Sequence, residues 1–283
     1  MTVKIVTDST SDLPREEAEA LGITVVPLNV HFGMEVFKDQ VDLSADEFYR
    51  RLVTAEEFPK TSQPSIGDFI AAYERIGRDA DGIVSVHVSG KISGTINSAR
   101  QAALQAEVPC TIEVLDTLQA SMGVGMVAIE AATVAAGGAS AEEVAGAARD
   151  AISRCQCFLF LDTLEYLEKG GRIGKARALL GTLLRVKPLI TLKDGEVQPL
   201  GKERTRQKAI DRLVRMAREF SPLDRMAVLY STSRGDAEAI ADSLADLMAD
   251  GPAPMVVQFG PVLGTYVGPN SLGIQLLRSS GGA

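Results

Sequence analysis

Tryptophan is missing from this 283-residue chain, and aromatic residues of any kind make up only 5% of it. An internal cavity in such a protein is expected to be walled by aliphatic side chains and methionine. That suits an alkyl chain better than a stacked base or a sugar ring. Histidine is nearly as scarce: His31 and His87 are the only two. Both stand in strand-like runs and are expected to pack there, not to form a catalytic pair. The three cysteines are Cys110, Cys155 and Cys157. An odd number without a framework argues against a secreted disulfide scaffold. The close pair Cys155 and Cys157 would need two further ligands to hold zinc, and none is in evident reach. Clustered positive charge is lacking too. With 29 Lys and Arg against 37 Asp and Glu, the net charge is −8, the wrong sign for a nucleic-acid partner. The longest apolar region, residues 120–138, is rich in Ala and Gly and carries Glu130. It falls short of a membrane span and reads as a buried helix. Residues 1–7 read as a strand and lack the positive start and long apolar stretch of a signal peptide. A cytoplasmic protein with at most transient membrane contact is expected.

What is present is a regular alternation of strand and helix signals. Residues 3–7, 23–30, 82–88 and 111–115 are short apolar runs of strand type. Between them lie helix signals. Pro14 with Glu16 and Glu17 opens one, and the capping boxes that begin at Ser44 and Ser140 open two more. This rhythm predicts a parallel sheet covered by helices on both faces. The second half differs. Asp194-Gly195 sits between two strand-like runs, which signals a hairpin and hence a mixed sheet. The fold class is therefore α/β with two domains, divided at about residue 155: residues 1–155 and residues 156–283. Residues 260–270 contain three Gly and two Pro residues and read as a rigid loop.

Three hydroxyl-rich turns fall where ligands of parallel sheets bind, at the carboxyl ends of strands. They are Thr7-Asp8-Ser9-Thr10-Ser11-Asp12, Lys60-Thr61-Ser62-Gln63-Pro64-Ser65, and Ser89-Gly90-Lys91-Ile92-Ser93-Gly94-Thr95. The last two lead into helices, whose free N–H groups favour anions. Ser, Thr and Asp are also ordinary cap and turn residues. The third turn is neither a phosphate-binding loop, a dinucleotide fingerprint nor a nucleophile elbow. Lys169-Gly170-Gly171-Arg172-Ile173-Gly174 fits a hinge, a sharp turn or an arginine offered to an anion.

Taken together and in this order, these segments resemble the DegV family over essentially the whole chain. The resemblance also runs through Leu161-Asp162-Thr163-Leu164-Glu165-Tyr166-Leu167, Val186-Lys187-Pro188, Lys202 with Arg204, and the Gly260-Pro261 segment. It implies a two-domain α/β fold with a long-chain fatty acid in a closed tunnel and no cofactor. The family holds the ligand carboxylate near the domain interface, with hydroxyls at the positions of Thr61 and Ser93. Ser62, Gly94, Thr95 and Thr265 accompany them, with Arg172 in an outer layer. Some members present the acid to a separate ATP-dependent fatty acid kinase, and Arg204 matches the residue that docks it. The late family segment normally reads Gly-His-x-Gly-Pro-Gly. Here Thr265-Tyr266-Val267-Gly268-Pro269-Asn270 places Tyr266 at the histidine position. A phenol donates one hydrogen bond but carries no positive charge near neutral pH. Two other readings stand beside the carrier: a hydrolase using Ser93, for which no histidine base is evident, and a carrier of a different amphiphilic lipid.

Overall fold

The computed structural model describes residues 1–180, 186–248 and 251–280. The expected fraying of Gly281, Gly282 and Ala283 lies outside them. The chain divides into two compact units: Met1–Asn29 with Thr61–Ser153, and Val30–Lys60 with Arg154–Ala283.

The chain opens with β1 (Val3–Asp8), α1 (Arg15–Ala20) and β2 (Ile23–Val26). It continues through β3 (Asn29–Phe32), β4 (Glu35–Lys38), α2 (Ala45–Leu52) and β5 (Lys60–Ser62). Then follow α3 (Ile66–Gly77), β6 (Gly82–His87), α4 (Thr95–Ala103), β7 (Thr111–Asp116), α5 (Met122–Ala136) and α6 (Ala141–Arg154). In the first unit the strands run in the order β2-β1-β6-β7, and every pair is parallel. Parallel strands with helical crossovers bury both faces, which is why β6 is buried at every residue. On one face Val6, Val26 and Ile83 pack with Phe69 and Tyr73 of α3 and Ala99 and Ala102 of α4. Alternation leaves the other face for α5, which packs on β1 and β6. The helix starts follow local chemistry. Ser65 and Asp68 form a reciprocal capping box on α3, and Ser140 pairs in the same way with Glu143 ahead of α6.

The second unit holds β8 (Cys155–Phe160), α7 (Glu165–Lys169), a short 3-10 segment (Gly174–Leu179), β9 (Lys187–Lys193) and β10 (Glu196–Glu203). After these come α8 (Arg206–Glu219), β11 (Leu223–Tyr230), α9 (Arg234–Leu244), β12 (Met255–Gln258), α10 (Pro261–Val267) and β13 (Leu272–Arg278). Its sheet is mixed, in the order β10-β9-β8-β13-β11-β12. Only β11 and β12 among these neighbours pair in parallel. The β9–β10 hairpin turns at Asp194 and Gly195, both with positive φ, the backbone that suits the right-handed twist of paired strands. Phe158, Phe160, Leu213, Val228, Ile240 and Ile274 lie in the core between this sheet and helices α8 and α9.

Residues 30–60 are grouped with this second unit, which a single division near residue 155 does not describe. The reason is the apolar face of α2. Phe48 and Tyr49 are buried and meet α10, where a Cβ on Gly264 would lie 2.6 Å from the Phe48 ring and 2.9 Å from the Tyr49 hydroxyl. The Tyr49 hydroxyl donates to the Phe259 carbonyl at 3.3 Å, and Gln258 donates to Asp46 at 3.0 Å. Two local expectations are corrected. The expected strand 23–30 is two strands, β2 and β3, parted at Pro27 and Leu28; proline offers no N–H to continue a ladder. The expected rigid loop 260–270 is largely helix α10, because Pro261 occupies its first turn, where no N–H is needed.

Replacing Gly264 with alanine is expected to destabilise the protein by about 1–3 kcal/mol, since the Phe48 and Tyr49 side chains leave no room for the methyl group. Urea unfolding of Gly264→Ala against the native protein measures this; equal midpoints would show that α2 and α10 yield freely.

Candidate functional site

The hydroxyl-rich turns converge at the carboxyl edge of the parallel sheet, within the first unit. The first is a single 3-10 turn, Ser9–Ser11, capped by the Asp8 side chain. The Ser9 hydroxyl accepts from the Leu28 amide at 3.0 Å. The next residue, Asn29, donates from its side chain to the Ser62 hydroxyl at 3.2 Å. Gln63 then reaches the third turn: its amide donates to the Ser98 hydroxyl at 3.1 Å, and its side chain fills the space beside Gly94. Gly94 is therefore the residue that lets the second and third turns approach. Thr61, Ser62, Ser93 and Gly94 are half-buried, and Thr95 is buried.

The two helices that follow these turns differ at their starts. The first N–H groups of α3 are taken by Ser65 and by an acidic residue of the same turn, Asp68. Helix α4 has no acid in its first turn, and its cap, Gly94, has no side chain to offer. The Ser93 and Thr95 hydroxyls are hydrogen-bonded to each other at 2.9 Å, and the Thr95 amide donates to the Ser93 hydroxyl at 3.3 Å. An anion at this end meets hydroxyl donors and the positive end of a helix with no neighbouring carboxylate on that turn to repel it.

The remaining expected residues lie in the second unit. Thr265 is buried and donates to the Pro261 carbonyl at 3.0 Å, so its hydroxyl proton is used inside α10. Tyr266 is half-buried, against Gly170 on one side and with the Arg172 guanidinium 5.3 Å from its ring centre. Arg172 is exposed and also donates to the Gly170 carbonyl at 2.9 Å. The Gly170-Gly171 pair serves as helix punctuation: Gly170 ends α7 and Gly171 takes a positive φ. Arg204 is exposed just ahead of Thr205, the cap of α8.

One constellation went unanticipated. His87 does pack on a buried strand as expected, but its ring joins a chain of polar groups. Its Nδ1 lies 2.9 Å from Asp8 Oδ2, and its Nε2 lies 2.6 Å from the Ser85 hydroxyl. Ser85 in turn meets the Tyr73 hydroxyl at 2.9 Å. The spacing Ser85-x-His87 was the available signal, since alternate residues of a strand share a face; what the sequence could not supply was the partner strand. The order serine, histidine, aspartate resembles a nucleophile–base–acid set. However, Ser85, His87 and Asp8 are each 0% exposed, so a substrate carbonyl has no approach. Both ring nitrogens are also engaged away from Ser93. Among the described residues, no group of three or more His, Cys, Asp and Glu side chains is placed to hold a metal ion. Among them, too, no helix is long and apolar enough to cross a membrane. Burial pushes the Cys157 thiol up to about 11, which keeps it protonated and unreactive.

Known proteins show the same fold over the whole length. A family model described as "Uncharacterised protein, DegV family" matches residues 2–279. A DegV domain-containing protein of Streptomyces coelicolor is 39% identical over 276 residues, covering 96% of this chain and 97% of its own. A solved structure described as fatty acid binding of a DegV family protein from Thermus thermophilus aligns with a TM-score of 0.89 at 35% identity, covering 98% of this chain and 99% of that one. DegV from Bacillus subtilis, described as a fatty acid binding protein, aligns at 0.86 with 32% identity and the same coverage. With matches this long and this close, the chain belongs to the DegV family.

Proposed function

We propose that this protein is a cytoplasmic carrier that buries a long-chain fatty acid and presents its carboxylate to a separate fatty acid kinase. The observation that carries the reading is the start of α4. There, paired Ser93 and Thr95 hydroxyls stand at a helix end with no acid in its first turn. Relatives of the same fold are described as fatty acid binding proteins, which supports the same ligand class here. Thr61, Ser62, Ser93, Gly94 and Thr95 are assigned to the carboxylate. The proposed roles of Thr265, Tyr266 and Arg172 rest on their places in the family segments. With its own proton donated inside α10, Thr265 acts as an acceptor or a spacer, and Tyr266 supplies a donor where the family has histidine.

The energetics suit a carrier. Each buried methylene is worth about 0.8 kcal/mol, so a chain burying about 14 of them gains on the order of 10 kcal/mol. Ordering the ligand offsets part of this. An unpaired buried carboxylate would remove several kcal/mol more, and hydroxyl and N–H donors prevent that loss. For the kinase, exposed Arg204 has Lys202 and Lys208 as exposed neighbours in sequence, a basic edge suited to an acidic partner surface. The hydrolase reading lacks a base, because both His87 nitrogens are bonded to other groups.

Protein purified from cells is expected to carry about one long-chain fatty acid per chain, released by denaturing extraction and identified by mass spectrometry. Absence of native lipid together with failure to take up added fatty acid would defeat the carrier reading. Ser93→Ala and Thr61→Ala are each expected to weaken binding by about 1–3 kcal/mol, as is Tyr266→Phe, the range for a buried polar group left without its partner. The Ser93–Thr61 double variant should fall short of additivity if both touch the same carboxylate. Titration calorimetry on delipidated protein distinguishes these outcomes; fluorophosphonate labelling of Ser93 with ester hydrolysis would instead establish the enzyme. Arg204→Ala should leave fatty acid affinity unchanged while slowing acyl phosphate formation by a cognate kinase. An equal loss of affinity would place Arg204 at the ligand.

A further inference from the structure

Asp8 closes β1 with a carboxylate that is 0% exposed. Its Oδ1 accepts from the amide and the hydroxyl of Thr10. Its Oδ2 accepts from His87 Nδ1 at 2.9 Å and from the Val88 amide at 3.1 Å. The last of these reaches the first residue of the chain that leads into the third turn. From the other side, Thr117 grips the same point: its amide and hydroxyl donate to the His87 carbonyl at 3.1 and 2.7 Å. Next, the Ser89 amide donates to the Gln119 carbonyl at 2.9 Å. The Ser89 carbonyl then receives the amides of Ile92 and Ser93 at 3.1 and 3.0 Å. The backbone position of Ser93 is thus set by Ser89, and that of Ser89 by the clamp around His87 and Val88.

The polar chain behind His87 is continuous. Burial pushes the Tyr73 phenol pKa up, so it stays a donor. Tyr73 and Ser85 share a hydrogen bond at 2.9 Å, Ser85 and His87 Nε2 one at 2.6 Å, and His87 Nδ1 and Asp8 one at 2.9 Å. Each polar group along it has a hydrogen-bond partner, and the Asp8 carboxylate at its end has four. Tyr73 belongs to α3, the helix that follows the Thr61 segment. One buried chain therefore joins the first turn, the third turn and the helix that succeeds the second.

We propose that His87 is a positioning residue for the fatty acid carboxylate: through Asp8 and Val88 it holds the turn that carries Ser93 and Thr95, without touching the ligand. This rests on the fatty acid reading above. Groups in one hydrogen-bonded network respond together, so displacing the buried imidazole should be felt at the hydroxyls. Phenylalanine at this position keeps a ring and removes the donor. Asparagine keeps a donor at the place of Nδ1.

The test is binding of cis-parinaric acid, a fluorescent long-chain fatty acid, to the delipidated full chain. His87→Phe is expected to bind about tenfold more weakly, and His87→Asn to recover most of the loss. Circular dichroism must show both folded well above the assay temperature. Native-like affinity in folded His87→Phe, or an equal defect in His87→Asn, overturns the assignment. A wild-type protein that fails to bind at all defeats the carrier reading instead. A measurement without any variant at this site covers the case in which His87→Phe does not fold. The chain has only two histidines, so their imidazole nitrogens are easily told apart by NMR. Saturation with the fatty acid should shift the His87 nitrogens; unmoved His87 resonances would overturn the proposal.

Discussion

The Asp8 carboxylate is sealed from water and is held by four hydrogen bonds, from His87 of β6, from Val88 just after it and from the Thr10 turn. A charge buried in this way is tolerated only when its lone pairs are filled. That requirement fixes the neighbourhood. Thr10 must curl back over the end of β1, β6 must bring both His87 and the Val88 amide to one oxygen, and the two strands must keep their parallel register. The hydroxyl-bearing turns at the carboxyl edge of the sheet take their places from this constraint.

On the function proposed above, the edge so formed holds an anion with neutral groups. Hydroxyls and N–H groups hold a carboxylate through short directional bonds. A lysine or arginine would bring stronger long-range attraction and a larger desolvation cost. Helix α4 fits that scheme because its first turn carries no acid, while α3, one turn away in sequence from Thr61, is already closed by Asp68. The same hydroxyl-rich composition thus produces one satisfied helix start and one receptive start. The difference lies in two residues, the cap, Ser65 against Gly94, and the third helical residue, Asp68 against Asn97.

Residues 30–60 show how chain order and compactness part company. Helix α2 has an amphipathic pattern that any core could accept. It is grouped with the second unit because Phe48 and Tyr49 pack against α10 where Gly264 carries no side chain. Fit of this kind depends on shape on both sides, and only one side is written in the local pattern.

Much of this protein was determined by local sequence. Strands β1, β6 and β7, the capping boxes at Ser65 and Ser140, the Asp194-Gly195 hairpin and the helix break at Gly170-Gly171 follow from residue type and spacing, because backbone conformation and alternate burial are decided over a few residues. The three hydroxyl-rich turns were legible for the same reason, and the order of the segments identified the family. Tertiary structure alone decided what those residues face. The short strands β3, β4 and β5 carry weak local signals, and α10 hides behind glycine and proline until its packing against α2 is seen. His87 reads as a packed strand residue, and nothing near it in sequence shows that Asp8, 79 positions away, will hydrogen-bond its ring. Long-range pairing of β1 with β6 creates that contact, and a buried hydrogen bond has its full strength only after the sheet has excluded water from around it.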